Sequence, residues 1–171
     1  MIIIGIDPGL ATTGYGIIQV QSPKPMLSKV EPFKVQSYGC IYTNLKFSTI
    51  ERLEKIHWEL KKIIKKYRPD KIAVEELFFA KNVKTALKVG EARGVILLTI
   101  KQNKIPFFEF TPLQVKQAIT GYGRASKDQI QKMIKVILNL KEIPKPDDAA
   151  DALAIAITCA QTNMKCSSSR T

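Results

Sequence analysis

The sequence predicts an α/β fold, a mixed central sheet of about five strands with helices on both faces, and three observations carry that reading. Ile2, Ile3, Ile4 and Ile6 form a β-branched run that stops at Asp7, Pro8 and Gly9; being apolar on both faces, it reads as a central, buried strand. Two further strand-like stretches, Thr13 to Val20 and Lys34 to Asn44, follow before any helical pattern appears. From Ser48 onward helix and strand alternate, which adds parallel strands to an antiparallel start.

The loop between strands two and three is QSPKPMLSKVEP, whose Pro23, Pro25 and Pro32 exclude regular structure. Ser48 with Glu51 fits a capping box, and Ile50, Leu53, Ile56, Leu60, Ile63, Ile64 and Tyr67 recur at helical spacing until Pro69. Asp70 to Phe78 reads as strand four, Lys81 to Gln102 as a long helix and Pro106 to Phe110 as strand five. Helices are predicted over Pro112 to Thr120, over Lys127 to Leu140 after a GYGR turn, and from near Pro146 to about Thr162. One domain, residues 1–162, accounts for all of these; residues 163–171 are small and polar and are expected to fray.

The chain has 171 residues, with 27 Lys and Arg against 15 Asp and Glu, a formal charge of +12. With 45% hydrophobic residues it is too apolar for a disordered basic tail. No apolar run approaches the roughly 18–20 residues of a membrane span, and MIIIGIDPG lacks the pattern of a signal peptide, so the cytoplasm is the expected location. Cys40, Cys159 and Cys166 have no CxxC spacing, which argues against a disulfide framework or structural zinc. The excess of positive charge suits a polyanionic partner, because Lys and Arg contacts to phosphates release counterions; solubility alone would account for it equally well.

Acids are the scarce class, so their positions carry more information than the lysines. Asp7 closes a central strand, where open α/β sheets place ligands, although Asp-Pro-Gly is also a good turn. Glu75 and Glu76 end strand four on opposite faces, and alternation alone does not say which faces a site. In PKPDDAADALAIAI, both Asp147 with Asp151 and Asp148 with Asp151 fall on one helix face. Capping and the helix dipole explain one or two acids in the first turn but not Asp151 ahead of an apolar run. Carboxylates drawn together from three segments repel one another unless a cation sits among them, and hard oxygen ligands suit Mg²⁺ or Mn²⁺. Two such ions would serve phosphodiester hydrolysis.

GIDPGLATTGYG, AVEELFFAKN with ALKVGEARG, and DDAADALAIAI, in this order, resemble the bacterial RuvC family of Holliday junction resolvases, which has the RNase H-like fold. The likeness spans Met1 to about Thr162. It implies a homodimeric, Mg²⁺-dependent endonuclease that makes paired nicks in four-way junction DNA, in recombination and repair. Carried over position by position, the catalytic and metal-holding acids are Asp7, Glu75, Asp148 and Asp151. The family's DNA contacts fall on Phe78, which would stack near the junction, and on Lys116 and Lys127. The resemblance also implies a dimer built around the helix on which Ala86, Gly90 and Gly94 form a smooth strip. There is no GxxxxGK[ST] loop, so ATP-driven branch migration would belong to separate partners, and no small-molecule cofactor or membrane is implied. Competing readings are a binding module without activity, an actin-like nucleotide-binding domain and another RNase H-like nuclease. His57 stands alone, and Trp58 is expected to pack.

Overall fold

The computed structural model describes residues 1–21, 32–76 and 83–167; Pro23, Pro25, Phe78, Phe79 and Lys81 lie outside these. Three strands open the chain, β1 (Ile2–Asp7), β2 (Thr12–Val20) and β3 (Phe33–Tyr42), followed by α1 (Thr49–Tyr67), β4 (Lys71–Glu75) and α2 (Val83–Gln102). Then come β5 (Phe107–Phe110), α3 (Pro112–Thr120), α4 (Lys127–Ile137) and α5 (Asp147–Ser167). The sheet order is β3-β2-β1-β4-β5. The first three strands pair antiparallel, whereas β1 pairs parallel with β4 and β4 with β5. The isoleucine strand is central, as its two apolar faces require.

Alternation along that strand divides the core. Ile3 joins Ile18, Ala73, Leu153 and Ile157 under α3, α4 and α5. Ile4 and Ile6 join Ile17, Ile72 and Val74 under α1 and α2. Each of these isoleucines is fully buried, worth about 2 kcal/mol apiece, so a one-residue slip that swapped the layers would be expensive.

What places α5 is the absence of side chains beneath it. A Cβ on Gly5 would lie 2.0 Å from the Ala152 carbonyl, and one on Gly16 would lie 2.6 Å from the Leu153 nitrogen. Ala149, Ala150, Ala152, Ala154, Ala156 and Ala160 on α5 are buried. Small residues on both partners let the helix backbone rest directly on β1 and β2.

Helix starts follow the sequence. Ser48 Oγ accepts from the Glu51 N–H at 3.3 Å while the Glu51 carboxylate accepts from the Ser48 N–H at 2.7 Å. Helix ends follow it less well. α4 stops at Ile137 rather than Leu140, because Asn139 takes the left-handed conformation (φ 47°) and Leu140 donates back to the Lys135 carbonyl. Leu140 still packs on the core, so its apolar signal outlasts the helix. The last helix runs on to Ser167, past Thr162 and into the stretch expected to fray.

Candidate active site

Ile4 and Ile6 point into the α1–α2 layer, so alternation puts Asp7 on the opposite face of β1, with Ile3 and Gly5 under α5. By the same rule Ile72 and Val74 assign Glu75 to the α5 face of β4. Ile6 is in register with Val74, so Asp7 and Glu75 are next in step on neighbouring strands, which lie about 4.8 Å apart. Across the sheet Asp7 pairs with Gly14, and a Cβ there would lie 2.0 Å from the Asp148 carbonyl oxygen. The first turns of α5, with Asp148 and Asp151, are thereby seated over Asp7.

Electrostatics show how tightly the acids are gathered. Burial, reinforced by the charges of Glu75, Asp151 and Asp148, pushes the Asp7 carboxyl up to about 8. Burial and then Asp151 push Glu75 up to about 7. Asp151 is raised too, chiefly by burial and against the pull of Lys127. Asp147 behaves in the opposite way: the Gln131 amide, donating at 3.1 Å, and Lys127 hold it below its ordinary range. Its carboxylate is engaged on the α4 side, and it does not figure among the charges acting on Asp7. Of the two, Asp148 is the one whose charge acts on Asp7.

Lys127 sits within this constellation. Leading α4 after the Ser126 cap, it reaches across to Asp151 at 3.2 Å and Asp147 at 3.3 Å. Burial draws its ammonium down, but these two carboxylates outweigh that and raise it. A cavity of about 250 Å³ brings Lys116 of α3 and Lys127 together with Glu75 and Asp151, over a floor that includes Val115, Ile130 and Ile155. Phe78 lies outside the described residues.

The donor set fits a hard divalent cation: four carboxylates from three elements, half-buried, with three held at raised pKa by burial and mutual repulsion. As the side chains stand, no three His, Cys, Asp or Glu among the described residues converge on a single ion position. Repulsion between the acids and the counter-charge of Lys127 are consistent with that spread.

Several supporting residues carry no clear signature in the sequence. Thr43 Oγ1 donates to the Leu10 carbonyl at 2.5 Å, and buried Arg52 donates from Nε to Thr43 Oγ1 at 2.9 Å. Thr13 Oγ1 bonds the Gly9 carbonyl at 2.7 Å, so the turn after Asp7 is fixed on two sides. Arg93 of α2 pairs with Glu109 of β5 and reaches the Glu75 carbonyl from Nε at 3.4 Å, tying the end of β4 to its neighbours. A charged residue amid the apolar positions of a helix was the available signal for Arg52 and Arg93. His57 serves packing: Thr99 gives its proton to the Val95 carbonyl, so His57 Nδ1 donates to Thr99 Oγ1 at 2.8 Å, linking α1 to α2. Trp58, expected to pack, is 49% exposed, with Lys61 Nζ 5.0 Å from its ring centroid.

A mixed five-stranded sheet with carboxylates at the ends of two adjacent strands and on a helix laid across them defines an RNase H-like nuclease. The chain belongs to the crossover junction endodeoxyribonuclease RuvC family, whose model matches residues 3–159. It is 55% identical over 157 residues to the crossover junction endodeoxyribonuclease RuvC of Halothermothrix orenii, covering 92% of this chain and 90% of that one. It is 56% identical over 162 residues to that of Alkaliphilus oremlandii, covering 95% and 94%. Among solved structures, Thermus thermophilus RuvC superposes with a TM-score of 0.85 at 35% identity over 96% of this chain and 97% of that one. The same protein in complex with a Holliday junction substrate gives 0.83 at 32% identity over 96% of each. Family membership implies a metal-dependent mechanism.

Proposed function

We propose that this chain resolves four-way DNA junctions by paired nicks, using Asp7, Glu75, Asp148 and Asp151 as its catalytic and metal-holding acids. The observation that carries this reading is the gathering of those four carboxylates beside Lys116 and Lys127 in an otherwise basic protein. Mg²⁺, replaceable by Mn²⁺ and present as two ions, would supply activation of water and stabilisation of the leaving 3′ oxygen. The protein's part is to hold the acids and admit the phosphate. Lys116 places positive charge beside Glu75, and Lys127 keeps Asp151 from repelling an incoming strand. Phe78 is proposed to stack at the junction.

Paired nicks call for two sites, and α2 offers the surface for a homodimer. Leu87 and Leu98 are 66% and 56% exposed, and among the described residues a Cβ on Gly94 would meet nothing within 4 Å. Packing against the described residues therefore does not explain the glycine at 94, whereas close approach of a second copy would. Leu98→Glu is expected to sediment as a monomer and to nick single strands without pairing; a variant that stays dimeric would refute this surface. ATP-driven branch migration is assigned to separate partners.

The test of the activity compares a mobile four-way junction, a linear duplex and an RNA–DNA hybrid with Mg²⁺ present. The wild type should nick the junction in preference to both, and Asp148→Asn should lose nicking while binding the junction in metal-free buffer as well or better. Retained nicking by Asp148→Asn would remove that residue from the site, and preference for the hybrid would overturn the substrate.

A further inference from the structure

A second basic feature lies on the α5 face, along β3, an edge strand among the described residues. Tyr38 of β3, Lys135 of α4 and Lys141, Glu142, Ile143 and Lys145 of the α4–α5 connection line an open groove of about 520 Å³. None of the three lysines is in an ion pair among the described residues. Glu142 is the one acid in the lining. The connection is not a loose tether: Pro144 is buried and Leu140 packs on the core, while Lys141 and Lys145 stay exposed.

Strand register relates this groove to the acids. Tyr38 is opposite Gly16 and Cys40 opposite Gly14, and both glycines face α5, so Tyr38, Cys40 and Tyr42 form one row on that face. Cys40 is level with Asp148, whose charge acts on its thiol. Tyr38 and Tyr42 are 37% and 55% exposed. From Cys40 to Tyr38 is about 7 Å along the strand, the axial rise of roughly two nucleotides of one DNA strand. At the other end, Lys145 acts electrostatically on Asp147 at the start of α5.

We propose that this groove is a second DNA contact, in which Lys135, Lys141 and Lys145 hold the phosphates of a junction arm as it leaves the catalytic acids along β3. The inference rests on the reading of the protein as a junction nuclease and adds where the arm runs. Ammonium groups unpaired among the described residues, on a fixed scaffold and beside exposed tyrosines, match a phosphate backbone in charge.

The experiment compares wild type with two triple variants carrying equal loss of charge: Lys135→Ala with Lys141→Ala and Lys145→Ala, and Lys61→Ala with Lys62→Ala and Lys65→Ala, three exposed positions on α1. Junction affinity is measured without metal across a salt series, and thermal unfolding confirms that both variants are folded. The groove triple should lose roughly tenfold in affinity near physiological salt and flatten the log–log salt slope by about two to three, with the α1 triple close to wild type. Methylphosphonates placed about two to four nucleotides from the scissile bond should weaken the wild type and leave the groove triple unaffected. A groove triple that binds like wild type, or two triples that lose equally, overturns the proposal. Wild type that nicks no junction counts against the activity instead, and the same comparison on linear duplex then decides the groove.

Discussion

Asp7→Asn should abolish metal-dependent nicking and at the same time make the metal-free protein more stable at pH 8. The folded Asp7 carboxyl titrates at about 8, against 3.8 for an ordinary aspartate. Below pH 3.8 both folded and unfolded chains are protonated there, and the group contributes no difference. Between 3.8 and 8 the unfolded chain has released a proton that the folded chain keeps, so stability falls as pH rises and the full cost is present above 8. That cost is on the order of 2–5 kcal/mol, since each tenfold change in proton affinity corresponds to about 1.4 kcal/mol and the half-open site lets water relieve part of it. Removing the charge should raise Tm by roughly 5–10 °C at pH 8 and leave it unchanged near pH 4. Mg²⁺ should then stabilise the wild type more than the variant, closing the gap. Nicking should fall at least about a hundredfold, because losing a residue that merely orients a ligand already costs about ten- to a hundredfold. Calorimetry across pH and a junction assay measure the two effects; equal Tm for both proteins at pH 8 would mean that Asp7 is not strained by its neighbours.

The same four acids mark the boundary between what the residues alone disclosed and what they did not. Asp7 was legible as a candidate because an isoleucine strand is central and open α/β sheets place ligands at such strand ends, although Asp-Pro-Gly fitted a turn as well. Glu75 against Glu76 was not, because period-two alternation says that the two face apart without naming the face over which α5 lies. Only the resemblance chose Glu75; the register of β4 with β1 places it beside Asp7 on the neighbouring strand. For Asp147, Asp148 and Asp151 helical spacing allowed two pairs. In the structure Asp148 acts on Asp7 while Gln131 of α4 engages Asp147, tertiary contacts with no local signature. Lys127 was expected among the DNA contacts through the resemblance, and its position between two aspartates makes it part of the acid site as well.

Gly5, Gly14 and Gly16 fell within predicted strands and were unread as a seat for a helix, although GIDPGLATTGYG and the alanines of DDAADALAIAI are two halves of one close contact. Gly14→Ala tests that contact where it bears on catalysis. The added methyl would lie 2.0 Å from the Asp148 carbonyl oxygen and 2.5 Å from its carbonyl carbon. These are backbone atoms at the start of a helix whose remaining length is clamped on Gly5 and Gly16, so the first turn of α5 must lift and carry Asp148 away from Asp7. Overpacking of this kind costs about 1–3 kcal/mol, which a domain of this size survives. The chemistry is less forgiving, since a shift of about 1 Å in a reacting group can cost a hundredfold. The expected result is a drop in nicking of about that size, with junction affinity in metal-free buffer close to wild type. Gly39→Ala provides the contrast: its methyl would meet the Tyr15 hydroxyl at 2.9 Å, a side-chain atom rather than the backbone of α5. That variant should keep wild-type nicking. If Gly14→Ala did so too, the spacing between β2 and α5 would not be what sets the distance from Asp148 to Asp7.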